Sequence, residues 1–395
     1  MGLEALNFAM AGAREGFGPF LGVYLQGQGF DPASTGIAMS LAGVAGVVAT
    51  TPLSALVDRT TSKRASVAVA VVAIALGAGL IVATKSLWVV AAGQVVIGIA
   101  DTGLAPLVSA MTLGIVGRAR YAMQVARNET FNHGGNAANA ALSAALGYFL
   151  SLGWVALAIA VMAAATTAVV ARIPPGSIDD EAARGGDPGS TSAFRALVES
   201  RPLLVLGLAA FAFMGSSGAM LPFLAQSLVK AGQNPSLVTG GMTVTVQVVM
   251  IAGAAVVPRL AERFGHVAVL AAGLGLVAVR AGLLMWSQAL PMIGLVEVLE
   301  GISMGFAGVA IPALAIDIMS KTGHANAGLG GVMTAYGAGA AVSPLLAGFV
   351  AQHAGFPVAF LTLGCVAAAG LVSWLVGWRM ATRGDRAPAP APARG

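Results

Sequence analysis

Ionisable side chains stand inside long apolar stretches of this sequence, where they could pair with one another or exchange protons. Arg14 and Glu15 lie near the middle of the first stretch, and Asp101 lies midway along the fourth. Neighbours on a helix point about 100° apart, so Arg14 and Glu15 must find partners elsewhere, and Asp101 is the natural candidate. A charge in hydrocarbon is costly unless it is paired or wetted. We therefore interpret the three as functional candidates, with a structural ion pair as the alternative.

A second group of charges lies on the ninth and tenth stretches. Glu297 and Glu300 are three positions apart and so share one helix face. Two carboxylates in a low dielectric repel when both ionise, which favours one that keeps its proton towards neutral pH. Arg280 is the competing partner. If it pairs with Glu297, that pair is structural and Glu300 alone is left to titrate.

The fifth stretch carries a polar stripe at helical spacing, which must face water or protein and not lipid. Its members are Glu129, Asn132, His133, Asn136 and Ser143. His133 could exchange a proton near neutral pH, or it could only bond a neighbouring helix. We expect Asn132, His133 and Asn136 to face a substrate. Arg127 and Glu129, near one helix end, are candidates for salt bridges of a gate.

Other chemistry is not supported by the residues present. The chain has one cysteine and four scattered histidines, without metal-ligand spacing. Its glycine pairs follow no strand, so they do not form phosphate-binding loops. We expect no enzyme activity, no cofactor, no metal and no nucleic-acid partner.

The elements that must position these residues are membrane helices. The chain is 57% hydrophobic and 9% charged, with 53 glycines among 395 residues. These values are typical of an all-α membrane protein. We predict twelve transmembrane helices, at 4–28, 34–56, 66–84, 87–116, 129–150, 152–172, 202–229, 237–257, 267–287, 290–318, 325–350 and 356–379.

Sequence landmarks recur about half a chain apart. Pro19-Phe20-Leu21 matches Pro222-Phe223-Leu224, 203 positions later, and Asp58-Arg59 has its counterpart in Glu262-Arg263. Such a period indicates a duplicated unit. We predict two homologous six-helix bundles at 1–172 and 202–380. A polar linker joins them at 173–201, and a disordered Pro/Ala tail follows at 381–395.

Basic residues indicate the orientation. Seventeen of the 21 Lys and Arg residues lie in one set of alternate loops, the linker and the tail, whereas the opposite loops hold two. By the positive-inside rule, both termini and the linker are cytoplasmic in a multi-pass protein of the inner (plasma) membrane.

Together these features resemble the major facilitator superfamily over residues 1 to about 380. The family's loop signature, Gly-x3-Asp-Arg with Gly and basic residues following, is matched at Asp58, Arg59, Lys63 and Arg64, with Ser54 for the leading Gly. The second copy keeps Arg263 and Gly265, with Glu262 for Asp. The resemblance implies alternating access about a central site lined by helices one, four, seven and ten, where Arg14, Glu15 and Asp101 could meet. It also implies a cytoplasmic latch at Asp58, to which we assign Asp58, Arg59, Glu262, Arg263, Arg127 and Glu129.

The leading hypothesis is a proton-coupled secondary carrier of a small solute, acting as a monomer in the lipid bilayer, with the direction of transport open. Buried arginines make an anionic or zwitterionic substrate plausible. The fifth helix has Gly134-Gly135-Asn136 and no proline, which weakens a multidrug hypothesis because that class often carries Gly-Pro there. The alternative is a carrier-shaped sensor or assembly partner that does not transport.

Overall fold

The computed structural model describes residues 2–15, 17–179, 200–320 and 325–383, which form helices joined by short turns. The first half contains α1 Gly2–Arg14, α2 Phe20–Gly27, α3 Pro32–Arg59, α4 Lys63–Val82, α5 Leu87–Val116, α6 Arg118–Phe149 and α7 Val155–Ala171. The second contains α8 Arg201–Ser217, α9 Met220–Lys230, α10 Pro235–Phe264, α11 His266–Trp286, α12 Leu290–Ser320, α13 Ala325–Ala354 and α14 Phe356–Arg383. The linker predicted at 173–201 and the tail predicted at 381–395 lie largely outside the described residues.

Ten helical segments of the described chain are long and apolar enough to cross a membrane, which confirms the predicted all-α membrane fold. Two of the twelve predicted helices are not among them. The first is interrupted between α1 and α2, and the fifth, within α6, carries the polar stripe. Helix α6 also begins at Arg118, well before the predicted start at 129, because its first turns are polar and lie beyond the apolar stretch.

The helices predicted at 4–28 and 202–229 are each broken in two, and the breaks lie at matching positions of the two halves. In the first break Gly18 has φ +32°, a left-handed value that favours glycine, and Pro19 has no N–H to continue the helix. In the second, the Ala219 amide donates to Ser343 Oγ at 3.0 Å instead of to its own helix. Discontinuous helices at equivalent positions of a repeat are typical of transporter binding sites.

The turn after each broken helix is built in the same way in both halves. Gly29 and Gly232 have φ of +92° and +90° and are 203 positions apart. Two residues later Asp31 accepts a bond from Ser34 N at 2.7 Å, and Asn234 accepts from Ser236 N at 3.0 Å. Both side chains cap the next helix just before a proline at its first position.

The same helix pairs pack in each half. Helix α1 packs on α6 and α7, and α5 packs on α3 and α4, while α8 packs on α13 and α14, and α12 packs on α10 and α11. Across the halves, α3 packs on α13, α6 on α10 and α2 on α9. We call the end of the molecule where α3, α5, α7 and α10 finish the linker end, and the opposite end the far end. Trp88 and Trp286 are exposed at the far end, where aromatic side chains anchor membrane proteins at the interface.

Candidate functional site

The central feature of the first half is an ion pair between α1 and α5. Arg14, the last residue of α1, donates from Nε to Asp101 Oδ1 at 2.5 Å. The break after α1 places this guanidinium beside the middle of α5. The charges of Glu15 and Glu129 also act on Arg14, so one base stands among three acids. The structure thus brings together Arg14, Glu15 and Asp101, which the sequence places near the middle of their apolar stretches.

This pair is only half buried. The side chains of Arg14 and Asp101 are 36% and 35% exposed although Asp101 lies midway along a 30-residue apolar helix. Charges at that depth are found facing water or protein and not lipid. The pair is therefore expected to face water or protein, and its partial exposure leaves room for contact with a polar solute.

The space between the halves is closed at the far end. Gln26 Nε2 donates to the Gln226 carbonyl at 3.2 Å, joining α2 to α9. A Cβ on Gly36 would collide with the Pro344 carbonyl, and one on Gly147 would collide with Ser236. Close backbone approach of this kind seals helix pairs in membranes. Any path from solution to Arg14 and Asp101 must then enter from the linker end.

The polar stripe of α6 meets the second half through His133. Its Nδ1 donates to Gln247 Oε1 on α10 at 2.8 Å, a hydrogen bond that crosses the two halves. Asn132 donates to Glu129 Oε2 at 3.4 Å, and Asn136 is buried. His133 thus makes the inter-helix bond considered in the sequence, and Glu129 and Asn132 lie on the exposed side of α6.

The residues assigned to a latch do not bridge the two halves in the described contacts. Arg127 pairs with Glu4 at 3.4 Å, which joins α6 to α1 within the first half. Glu262 and Arg263 are exposed at the end of α10, where the Arg263 guanidinium lies 5.2 Å from the Phe264 ring centre. The side chains of Asp58 and Arg59 lie outside the described residues.

Arg64, one of the basic residues after Asp58-Arg59, has a structural role at the end of α7. Arg64 donates to the carbonyls of Val170 and Ala171, at 3.0 and 2.6 Å, at the C-terminal end of α7. A cation at that position satisfies free carbonyls and complements the helix dipole. Arg64 therefore stabilises the helix end as well as contributing to orientation.

In the second half Arg280 on α11 bonds Glu300 on α12, and not Glu297. Ser217 Oγ lies 3.0 Å from both Glu300 oxygens and accepts from Arg280 Nη2 at 3.0 Å. The pair is buried, with side chains 1% and 5% exposed. The alternative in which Glu300 is left alone is therefore wrong: Glu297 is the acid left over. Its Oε2 is buried without a hydrogen-bond partner.

Two of these contacts involve residues that sequence reasoning ranked low. From the sequence, Ser217 and Gln247 are only weak candidates, because a lone hydroxyl or amide in a membrane helix is common and more often bonds its own backbone or a neighbouring helix. Ser217 lies 203 positions after Arg14, at the equivalent helix break, and that correspondence was the available signal. Gln26 gave no comparable signal. Within the described residues no group of His, Cys, Asp and Glu side chains is placed to hold a metal ion.

Comparison with known proteins agrees with this architecture. Residues 2–362 match the model of the MFS_1 like family. An uncharacterized MFS-type transporter of Mycobacterium tuberculosis is 38% identical over 382 residues, covering 95% of this chain and 91% of that protein. The crystal structure of a mutant of the nucleoside transporter NupG superposes with a TM-score of 0.81 at 14% identity, covering 95% of this chain and 99% of that one. A POT family transporter in complex with a thioalcohol-conjugated peptide superposes with a TM-score of 0.80 at 13% identity, covering 97% and 96%. The two distant structures share the fold alone, whereas the family match and the mycobacterial relative cover nearly the whole chain: the protein belongs to the MFS_1 like family of major facilitator transporters.

Proposed function

We propose that this transporter is a proton-coupled secondary carrier that moves a small zwitterionic solute by alternating access, with Arg14 and Asp101 at its central site. The single observation that carries the proposal is the half-exposed Arg14–Asp101 pair between α1 and α5. A pair that only links two helices needs no access to solution, and Arg280–Glu300 is sealed in this way. A pair that stays open to the space between two bundles is available to a ligand.

The contacts between the halves support a two-state cycle. A hydrogen bond and close glycine contacts hold the far end closed, and two of the latch residues, Glu262 and Arg263, are exposed at the linker end. The basic bias of the linker end supports a cytoplasmic position for it. This arrangement corresponds to a state open to the cytoplasm, from which the bundles rock to open the far end. A latch at Asp58 and Arg59 then holds the linker end closed.

The charges of the central site suggest the substrate class. Arg14 can take an acidic group of the solute, and Asp101, released from Arg14, can take a basic group. Glu15 and Glu129 add negative charge around the same guanidinium, so a purely anionic solute would be repelled. A solute with one group of each sign replaces the internal ion pair without leaving a bare charge. The nucleoside and peptide transporters among the structural neighbours set no preference here.

Proton movement in proteoliposomes tests the function. Purified protein is reconstituted with a pH-sensitive dye inside, and pools of amino acids, short peptides, nucleosides and organic acids are added in turn. We expect a pool of zwitterions to trigger a proton flux that is lost in Asp101→Asn. Asp31→Asn is the matched control, because asparagine caps a helix as well as aspartate does and the site is at the far end.

The outcomes separate the hypotheses. An unchanged flux in Asp101→Asn contradicts the central role of the Arg14–Asp101 pair. Ligand-induced thermal stabilisation without flux from any pool contradicts a carrier and favours the sensor. A flux triggered by organic acids but not by zwitterions contradicts the substrate class alone.

A further inference from the structure

A cavity of about 280 Å³ lies between α10 and α12, apart from the central site. Its mouth is at the far end, where Gln233, Asn234 and Leu290 line it. Apolar side chains and two glycines, Gly241 and Gly294, form the walls. Glu297 lies two turns of α12 further in and contributes the one ionisable side chain among the lining residues. The cavity thus connects far-end solution with a buried carboxyl group.

One of the two carboxyl oxygens of Glu297 lacks the hydrogen-bond partner that an ionised acid needs. The residue is 2% exposed, and Oε2 is the oxygen that makes no hydrogen bond. A buried carboxylate with an unsatisfied oxygen is more costly than a neutral carboxyl group in the same place. Glu297 therefore requires either a cation or a proton in this state.

The neighbouring charges leave Glu297 as the excess acid. Arg280 on α11 is the positive charge that acts on it, but Arg280 already bonds Glu300, which accepts further bonds from Ser217 and Ser303. One base and two acids that are all buried reach neutrality when one acid holds a proton. Of the other charged or titratable groups on α12 and on α8, α10, α11 and α13, which pack against it, Tyr336 lies midway along α13. The rest are near helix ends: Asp317, Arg201, Arg259, Glu262, Arg263, His266 and His353.

We propose that Glu297 binds a proton delivered from the far-end solution through the α10–α12 cavity, while the central site faces the linker end. Resting on the proposed function, this assigns the coupling proton a separate entrance from that of the solute. The cavity is roomy enough for several water molecules, with Thr245 as a further polar group on its wall. The proton adds to a carboxylate oxygen and leaves by the same route or, after rocking, towards the linker end.

Two glycines of the cavity wall allow the route to be blocked. A Cβ placed on Gly241 or Gly294 meets no atom within 4 Å, so a larger side chain can start from either position without a collision at Cβ. Leucine also favours a helix more than glycine does, so folding should not suffer. Gly308, on α12 like Gly294, also has no atom within 4 Å of a Cβ but does not line the cavity. Gly308→Leu is therefore the matched control.

Infrared spectroscopy measures the proton directly in proteoliposomes, without a substrate. After a jump from about pH 8 to about pH 5.5, a protonated carboxyl group gives a C=O band. We expect a band that is lost in Glu297→Gln and that rises about tenfold more slowly in Gly294→Leu and Gly241→Leu, because the leucine excludes water from the cavity. The rise in Gly308→Leu should match that of the unmodified protein.

Either of two results overturns the proposal. If the spectrum of Glu297→Gln shows the same band, Glu297 is not the group that takes the proton. If the band rises equally fast in Gly294→Leu and Gly308→Leu, the cavity is not its route. Loss of solute-driven proton flux in Asp101→Asn with an intact Glu297 band would support the carrier independently. A Glu297 band in a protein with no flux from any pool would retain the site and contradict the carrier.

Discussion

The two intramembrane ion pairs should differ sharply in what they contribute to stability. We compare Glu300→Gln with Asp101→Asn. Each substitution removes one negative charge from its ion pair and replaces the carboxylate by an amide of similar shape. Glu300→Gln leaves Arg280, 1% exposed, without its bonded counter-charge. Asp101→Asn leaves Arg14, which is 36% exposed and can be hydrated.

The magnitude follows from burial. Removing one partner of a buried pair costs roughly 3–5 kcal/mol, because the remaining charge is uncompensated. We place Glu300→Gln at about 3 kcal/mol, the low end, because Glu297 still acts on Arg280 and Ser217 still accepts from it. For the half-exposed pair we expect a loss of about 0.5 kcal/mol, in the range of solvated ion pairs.

The assay is denaturant unfolding of the purified protein in mixed micelles, followed by tryptophan fluorescence. The double variant Arg280→Met with Glu300→Met is the control, since replacing a whole buried pair by apolar groups is often close to neutral. It should recover most of the stability lost in Glu300→Gln. Equal losses of stability in Glu300→Gln and Asp101→Asn would refute the distinction between a sealed pair and an open one.

Three further predictions concern contacts between helices. Gly36→Leu collides with the Pro344 carbonyl and should open the far end, seen as faster maleimide labelling of a cysteine placed there; unchanged labelling would show that this contact does not hold the end closed. Arg64→Ala removes the bonds to the end of α7 and should lower the free energy of unfolding by about 1 kcal/mol, with Arg64→Lys recovering only part of it. His133→Leu removes the bond to Gln247 and should destabilise the state with the far end closed by about 1 kcal/mol. The population ratio of the closed to the open state should then fall roughly fivefold, as measured from distances between spin labels. No change in those distances would mean that the bond is equally strong in both states.

Much of the fold was predictable because membrane helices leave strong local signals. Apolar length placed α5 at Leu87–Val116, the predicted bounds, and the 203-residue repeat extends down to the caps at Asp31 and Asn234. The helix breaks were not predicted. Gly18 and Pro19 were visible in the sequence, but glycine and proline are also tolerated inside membrane helices, so hydropathy alone joined α1 to α2.

For the site, the sequence predicts how deep each charged residue lies in the membrane, but not every partner that it binds. Arg14 and Asp101 lie at similar depths of neighbouring helices, and their pairing follows from that. The choice of Arg280 between Glu297 and Glu300 could not be read in the same way. These acids are one turn apart on one face, so the outcome depends on the relative height of α11 and α12. That height is set by tertiary packing and by the turn at 287–289.

The break between α1 and α2 has a mechanical consequence. Bending an intact helix requires its backbone hydrogen bonds to be stretched or broken, and here the ladder is already interrupted around Gly18 and Pro19. The break can act as a hinge, so that α2 can tilt away from α9 without moving α1. In the proposed transport cycle, opening of the far end and binding of the solute at the central site then need not happen at the same time. In that proposed cycle, the contact between α2 and α9 can break while Arg14 and Asp101 keep their relative positions.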